Sequence, residues 1–170
     1  KAFFNDERGA ILPLAETVKN YAENEITKND FNTGVKLFDG EWLFGSHMMT
    51  ALGLLQTIKL YPDKKEAFLP TVEKCIKNIL SEEDKHFDKN SWDEDPIESL
   101  GHGKDHAAYL GYLNLVLGYY RSIVANPKIE LIELNDKISN ALIQNLEKKE
   151  FGLLETYPEE YYPIDNATVI

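Results

Sequence analysis

Residues 101–121 constrain the fold most, because they contain a helix-length run that is apolar on nearly every side. After Asp105 and His106 the run continues as Ala-Ala-Tyr-Leu-Gly-Tyr-Leu-Asn-Leu-Val-Leu-Gly-Tyr-Tyr. A surface helix shows one apolar stripe, whereas a helix that is apolar all round is buried all round. The pattern therefore predicts the central helix of an all-α protein. Its polar N-terminal end, with unpaired N–H groups, is predicted to open into a pocket.

Glycines support this interpretation of the central helix. Gly111 and Gly118 are seven residues apart, which places them on one helix face. Glycine inside a helix costs about 1 kcal/mol relative to alanine, so two on one face indicate close approach of another helix. A second helix, predicted over residues 41–61, is apolar on all sides in the same way and also contains internal glycines.

Helices with a single apolar stripe alternate with these two apolar helices. The spacing of apolar residues predicts them over residues 7–22, 65–81 and 129–148. Long polar connections precede the buried helices, over residues 24–40, 82–102 and 149–163. Connections that leave the buried helices are short and contain Pro62 or Pro127.

Short β elements are predicted inside two of the long connections. Residues 35–38 are a candidate strand that ends at the turn signal Asp39-Gly40. Residues 151–162 are a candidate β-hairpin around Pro158. Residues 165–170 look like the start of one more buried helix.

The order of connections predicts an array of antiparallel helical hairpins. Alternate connections of such an array fall on opposite ends, so the long loops and the N-termini of the buried helices share one face. The buried helices begin near Trp42, Lys104 and Ile164, a spacing of about 60 residues that is typical of repeat architecture.

Composition excludes several classes of partner. The formal net charge is −11, which argues against nucleic acids and anionic membrane surfaces as partners, because both bind proteins through Lys and Arg. No apolar run reaches the roughly 18 residues of a membrane span. The single cysteine, Cys75, allows no internal disulfide and is predicted to be a buried, inert thiol. The compartment stays open, with a periplasmic or extracellular location favoured over a cytoplasmic one.

Four segments look like family signatures. They are Gly-Glu-Trp-Leu-Phe-Gly at 40–45, Gly-Lys-Asp-His-Ala-Ala-Tyr-Leu-Gly-Tyr at 103–112, Glu-Thr-Tyr-Pro at 155–158 and Tyr-Pro-Ile-Asp-Asn at 162–166. With inner helices ringed by outer ones, the chain resembles the (α/α) toroid of the six-hairpin glycosidase superfamily, whose active sites lie on the long-loop face. Linalool dehydratase-isomerase is similar at the level of the fold, with a toroid over a small hydrophobic substrate.

The number of hairpins departs from that family. About two and a half hairpins are present, whereas a closed toroid has five to seven. The 170 residues are therefore expected to form a single domain that is a fragment of a larger toroid. The remainder of that toroid, or another copy of the chain, would cover the open apolar arc.

The long-loop face is rich in carboxylates and aromatic side chains. Glycoside hydrolysis needs a protonated and an ionised carboxyl about 5 to 9.5 Å apart, and Trp and Tyr offer stacking faces for sugars. The candidate catalytic groups are Asp105, His106, Asp165 and Glu41. The candidate substrate-binding residues are Trp42, His47, Trp92, Asp93, His102, Tyr109, Glu155, Tyr161 and Asn166. The expected ligand is a glycan or another small molecule.

Neither a metal nor a cofactor is predicted. His102 and His106 have the spacing of a helical metal pair, but no third ligand stands at a useful distance. The acidic run 88–95 lacks the glycine and glutamate of a calcium-binding EF-hand loop. No phosphate-binding glycine loop or nucleophile elbow is present.

Three functions remain open at this point. The first is a carbohydrate-active enzyme similar to glycoside hydrolases, or a degenerate relative of one. The second is a lyase, an epimerase or an isoprenoid dehydratase on the same fold. The third is a non-enzymatic helical repeat that binds a protein, which predicts an extended surface and no deep pocket.

Overall fold

A computed structural model describes residues 9–169, and the regular structure of that part is helical, without β-strands. The helices are α1 (Ile11–Glu23), α2 (Lys36–Leu60), α3 (Lys65–Ile79), α4 (Glu82–Trp92), α5 (Tyr112–Ile123), α6 (Ile129–Lys148) and α7 (Pro163–Asn166). The all-α prediction is confirmed for this range. None of the helices described combines the length and the hydropathy that a membrane span requires. The first two residues of the helix predicted at 7–22, and Ile170, lie outside it.

The chain divides into two compact units, the first ending at Leu80 and the second beginning at Ser81. In the first unit α2 packs against α3 and α1, around a core that includes Leu54, Leu55 and Phe68. Cys75, the single cysteine of the sequence, is buried there as predicted. In the second unit α5 packs against α6, around Leu113, Leu117, Ile138 and Leu142. The bounds of α6 match the predicted helix.

Helix α2 differs from its prediction in one respect. It is apolar all round, but it is not buried all round, because Trp42 is 59% exposed and Met49 is 64% exposed. Phe38 and Leu60 are also exposed on the same helix. Within residues 9–169, the packed faces of α2 are those that meet the neighbouring helices of the first unit.

The strand predicted at residues 35–38 is wrong, because α2 already begins at Lys36. The carboxylate of Asp39 accepts hydrogen bonds from the backbone N–H and the hydroxyl of Thr33, at 2.8 and 2.7 Å. These bonds tie the preceding loop to the first turn of the helix. They also hold the pKa of Asp39 below its usual value. The pair Asp39-Gly40 is therefore helical and forms no turn.

The long polar loop predicted at 82–102 is wrong in its first half, where α4 lies. Ser81 caps this helix, since its hydroxyl oxygen accepts a hydrogen bond from the backbone N–H of Asp84 at 3.3 Å. Three acidic residues in the first turn interact favourably with the positive end of the helix dipole. Asp93, in the left-handed conformation at φ 57°, ends the helix.

The predicted central helix consists of two parts. Residues Ala107–Gly111 form a wide π-helical turn, and α5 follows from Tyr112. His106 precedes the turn with φ 49°, a left-handed conformation in which histidine is enriched. Residues 101–104 are irregular and lie outside the helix.

The segment between α6 and α7 forms no β-hairpin. It contains a single antiparallel bridge between Tyr157 and Glu160, and the chain then enters the short helix α7. Gly111 packs closely against Asp165, Thr168 and Val169, at and after α7. A Cβ atom on Gly111 would collide with the hydroxyl of Thr168, whereas one on Gly118 would meet the Asn135 amide at an ordinary 3.8 Å.

Candidate functional site

A buried histidine–carboxylate contact lies at the start of the central helix. Nδ1 of His106 is 2.6 Å from Oδ2 of Asp88, and both side chains are buried. The indole of Trp92 packs on the imidazole, with ring centroids 4.8 Å apart. Asp88 and Trp92 are four residues apart on α4 and therefore lie on the same face of that helix.

The other imidazole nitrogen faces the segment that follows α4. Nε2 of His106 is 3.2 Å from Oε1 of Glu94 and 3.3 Å from the hydroxyl of Ser99. Lys104 holds this segment in place, since its ammonium group lies 3.1 Å from Glu94 and donates to the carbonyl of Trp92 at 2.8 Å. Both nitrogens of the ring therefore face a carboxylate.

A nearly buried ion pair between Lys85 on α4 and Asp95 supports the same segment. The ammonium group of Lys85 donates to the Asp95 carboxylate at 2.6 Å, and it also reaches Glu82 at 2.7 Å. The other Asp95 oxygen accepts hydrogen bonds from the backbone N–H groups of Ile97 and Glu98. Asp95 thus closes the turn that carries Glu94 and Ser99 to the imidazole.

The pKa values of the two carboxyls beside His106 are shifted in opposite directions. Burial raises the pKa of Asp88 and outweighs its hydrogen bond with His106. Partial burial acts in the same sense on Glu94, but hydrogen bonds with His106 and Lys104 prevail and lower its pKa. The Tyr109 hydroxyl, itself buried, has its pKa raised by burial and by the charge of Asp88. Such divergent shifts are typical of acid–base sites.

A second cluster surrounds residues 155 and 156. Oδ2 of Asp105 accepts a hydrogen bond from the backbone N–H of Glu155 at 2.9 Å and forms an ion pair with Lys149 at 2.7 Å. The backbone N–H of Ala107 donates to the carbonyl of Glu155. The Tyr161 hydroxyl donates to the Glu155 carboxylate at 2.8 Å. The start of the central helix thereby fixes Glu155 on both sides.

Asp165 belongs to this second cluster. Its carboxyl shares hydrogen bonds with the hydroxyls of Thr156 and Tyr112, and partial burial raises its pKa despite them. Asn166 is buried, and its amide donates to the carbonyls of Leu154 and Tyr162 while its oxygen accepts from the N–H of Leu154. Asn166 therefore fastens both ends of the loop that contains Thr156.

The remaining predicted site residues are more scattered. Asp93 and His102 are exposed in the second unit. Glu41, Trp42 and His47 lie on α2 in the first unit, where His47 is buried and its Nε2 is 3.1 Å from the amide nitrogen of Asn78. Seven of the predicted residues thus meet in the two clusters, namely Asp105, His106, Asp165, Trp92, Glu155, Tyr161 and Asn166.

Several residues of the two clusters were missed from the sequence. The sequence pointed to Asp88 only as part of a possible calcium loop, and to Tyr112 and Thr156 only within segments that look like family signatures. Glu94, Ser99 and Lys149 carried no prediction of a role in the site. The capping signal Ser81-Glu-Glu-Asp84 would have revealed α4 and placed Asp88 and Trp92 on one face. Nothing in the local sequence indicates the contacts of Ser99 or Lys149.

Buried polar atoms without a hydrogen-bond partner among residues 9–169 concentrate at these clusters. They are Oδ1 of Asp88, Nε1 of Trp92 and Oδ1 of Asp105. Within the same range no group of three or more His, Cys, Asp and Glu side chains is arranged to hold a metal ion. Buried atoms of this kind are uncommon and tend to mark functional positions.

Comparison with known proteins found no matching family model, no matching curated protein and no matching solved structure.

Proposed function

We propose that this chain is part of a carbohydrate-active enzyme of the glycoside hydrolase type, built as an arc of an (α/α) toroid. The observation that carries the proposal is the half-buried carboxyl of Asp165, which lies between the hydroxyls of Tyr112 and Thr156 and has a raised pKa. A raised pKa lets a carboxyl hold its proton to higher pH, and general-acid cleavage of a glycosidic bond uses a carboxyl of this kind.

Glu155 is the second carboxylate of the proposed site. It adjoins Thr156 in the chain and is only partly exposed. Glycoside hydrolysis needs an ionised carboxylate about 5 to 9.5 Å from the acid, as base or as nucleophile. We assign this role to Glu155. Asp105 then acts as a positioning group, because its carboxylate holds the Glu155 backbone and is itself paired with Lys149.

Two exposed tyrosines support a sugar as the ligand. Tyr161 and Tyr162 follow Glu155 by a few residues and are exposed. The Tyr161 hydroxyl donates to the Glu155 carboxylate, and the Tyr162 hydroxyl donates to the Glu160 carboxylate, both at 2.8 Å. These bonds restrict the rings before any ligand arrives, which lowers the entropic cost of stacking on a sugar face.

The helix order supports the toroid. In each unit an apolar helix is followed, after a short connection, by a helix with one apolar stripe that packs against it. In the first unit these helices are α2 and α3, and in the second they are α5 and α6. An inner helix followed by an outer helix is the repeating hairpin of a toroid.

The proposal is tested by hydrolysis and binding with a defined panel of aryl glycosides and oligosaccharides. Asp165→Asn should abolish release of reducing ends, by at least a hundredfold, while calorimetry shows that the same oligosaccharide still binds. Tyr161→Ala should weaken binding. Asp63→Asn, an exposed position in the first unit, is the matched control and should change neither.

Two results would contradict the proposal. Failure of the wild-type protein to bind or cleave any member of the panel would remove the sugar as the substrate class. If Asp165→Asn kept full activity on a sugar that the wild type cleaves, the reaction type would be retained but the assigned catalytic site would be wrong.

A second candidate function, a helical scaffold that binds another protein chain, is favoured by the exposed face of α2. Phe38, Trp42 and Met49 are exposed along that helix, and exposed apolar faces mark interaction surfaces. For a scaffold that binds a second copy, Trp42→Ser should reduce self-association in sedimentation velocity. The hydrolase proposal expects Trp42→Ser to leave the cleavage of aryl glycosides unchanged.

A further inference from the structure

Asp88, His106 and Glu94 form a row of titratable groups, here called the acid–base row, that runs from the interior to the surface. The side chain of Asp88 is 0% exposed and that of His106 is 1% exposed, whereas that of Glu94 is 26% exposed. Contacts of 2.6 and 3.2 Å join the three groups. Only the Glu94 end of the acid–base row faces solvent.

The number of protons in the row follows from its geometry. A neutral imidazole carries one N–H, so it donates to only one of the two carboxylates that face it. For both contacts to be hydrogen bonds, the row must hold two protons. One lies between Asp88 and Nδ1, and the other lies on Nε2 and points to Glu94. Burial of Asp88 favours retention of the inner proton, because an isolated buried carboxylate is costly.

Ser99 is not activated as a nucleophile in this arrangement. Its hydroxyl is 3.3 Å from Nε2 of His106, which together with Asp88 resembles the order of a Ser-His-Asp triad. In such a triad Nε2 must accept the serine proton. Here Nε2 donates to Glu94, so it has no free lone pair for that step. Because Glu94 accepts the Nε2 proton, the three residues Asp88, His106 and Glu94 are arranged for proton transfer and do not activate Ser99.

We propose that Asp88, His106 and Glu94 are a proton-transfer site that exchanges a proton between the buried Asp88 carboxyl and solvent. The proton on Asp88 passes to Nδ1 while the proton on Nε2 passes to the Glu94 carboxylate, which then releases it to water. One proton enters the imidazole as one leaves, so the ring stays neutral overall. Asp88 is left ionised, and the reverse sequence reloads it.

Other charged and titratable groups around the acid–base row set its direction. Lys104 lies 3.1 Å from Glu94 and stabilises its ionised form. The charges of Asp95 and Glu94 act on Asp88 and oppose its ionisation. The Tyr109 hydroxyl feels the charge of Asp88 but is itself buried and stays protonated at neutral pH. The row uses neither Asp165 nor Glu155, so it stands independently of the proposed hydrolase site.

Nitrogen-15 NMR of the histidine rings tests the wild-type protein directly. Near neutral pH both ring nitrogens of His106 should carry or share a proton, and Nδ1 should show the low-field proton of a short hydrogen bond. His86, exposed on α4 and hydrogen-bonded to Asn90, is the internal comparison ring. A single neutral tautomer with a bare Nδ1 and no low-field proton would overturn the proposal without any variant.

Two isosteric variants test the direction of transfer. Asp88→Asn should remove the low-field proton at Nδ1 of His106, because the carboxyl that shares this proton is replaced by an amide. Glu94→Gln should slow the exchange of the Nε2 proton with water by about tenfold or more. Glu98→Gln, exposed in the same segment, is the control and should change neither quantity. An unchanged exchange rate in folded Glu94→Gln would show that the row is only structural.

Discussion

The imidazole of His106 and the carboxyl of Asp88 meet at 2.6 Å in a place where neither side chain has more than 1% of its surface exposed. The two residues are 18 positions apart, one on a helix and one just before a π-helical turn. A contact of this kind between buried ionisable groups makes the stability of the protein depend on pH.

Asp88 and Asp95 should give pH dependences of opposite sign. The pKa of Asp95 is lowered, since hydrogen bonds from Lys85 and two N–H groups prevail over burial, so its stabilisation is lost as pH falls through its folded-state pKa. The pKa of Asp88 is raised, so the folded state binds the extra proton and stability falls as pH rises from about 3.9 to the folded-state pKa.

Denaturant unfolding between about pH 3 and pH 8 measures both effects. The difference in unfolding free energy between the wild type and Asp95→Asn should be smallest at the acid end of the range. For Asp88→Asn, the loss of unfolding free energy relative to the wild type should be smallest at the alkaline end. Parallel pH curves for the wild type and both variants would contradict the assigned directions.

Asp95→Ala should be one of the most damaging substitutions in the second unit. It leaves the nearly buried ammonium group of Lys85 without its closest partner and removes the acceptor of two backbone N–H groups. Breaking one side of a buried pair costs about 3–5 kcal/mol. Glu82→Gln removes the exposed partner of the same lysine and should destabilise the protein far less, because exposed ion pairs contribute little. Urea unfolding compares the two, and equal losses would show that burial does not govern the pair.

Gly111 and Gly118 form a matched pair for alanine substitution. A methyl group at Gly111 collides with Thr168, so Gly111→Ala should destabilise the protein by about 1–3 kcal/mol. A methyl group at Gly118 meets Asn135 at 3.8 Å, so Gly118→Ala should gain up to about 1 kcal/mol from helix propensity. Thermal unfolding of both variants checks the signs, and a stabilised Gly111→Ala would contradict the packing.

Asn166→Asp should release the loop over residues 154–162 with little change in side-chain volume. The amide of Asn166 donates to two carbonyl oxygens, and a carboxylate would place negative charge against both. Loss of these buried bonds should cost about 2–3 kcal/mol. Hydrogen exchange should show faster exchange at the N–H groups of Leu154 and Tyr162. Asn140→Asp, exposed on α6, serves as the control, and equal effects would refute the role of Asn166.

Much of the helical architecture can be predicted from the sequence, because apolar residues recur at helical spacing wherever a helix packs on an apolar neighbour. The predicted bounds of α6 are correct for this reason. Helix α4 was missed because its buried face carries the charged residues Asp84, Lys85 and Asp88. A search for apolar periodicity cannot find a helix of that kind, whereas its capping signal could have.

The clusters were partly predictable. Asp105, His106 and Asp165 stand where apolar helices begin, and that position alone made them candidates. Some of their partners are distant in sequence. Asp105 accepts a hydrogen bond from the backbone N–H of Glu155, which lies 50 residues later. Charge pairs across such distances leave no periodic trace, so the sequence carried no signal for the contact of Lys149 with Asp105.

The π-helical turn at Ala107–Gly111 has a consequence for comparing and redesigning this chain. A π turn is an α-helical turn with one residue added, so every side chain before it is rotated by about 100° relative to the helix that follows. Deleting Ala108 would restore an ordinary helix and swing His106 away from Asp88 by more than a quarter of a turn. A gap of one residue at this point is therefore the spacing to allow when distant relatives are aligned or chimaeras are joined.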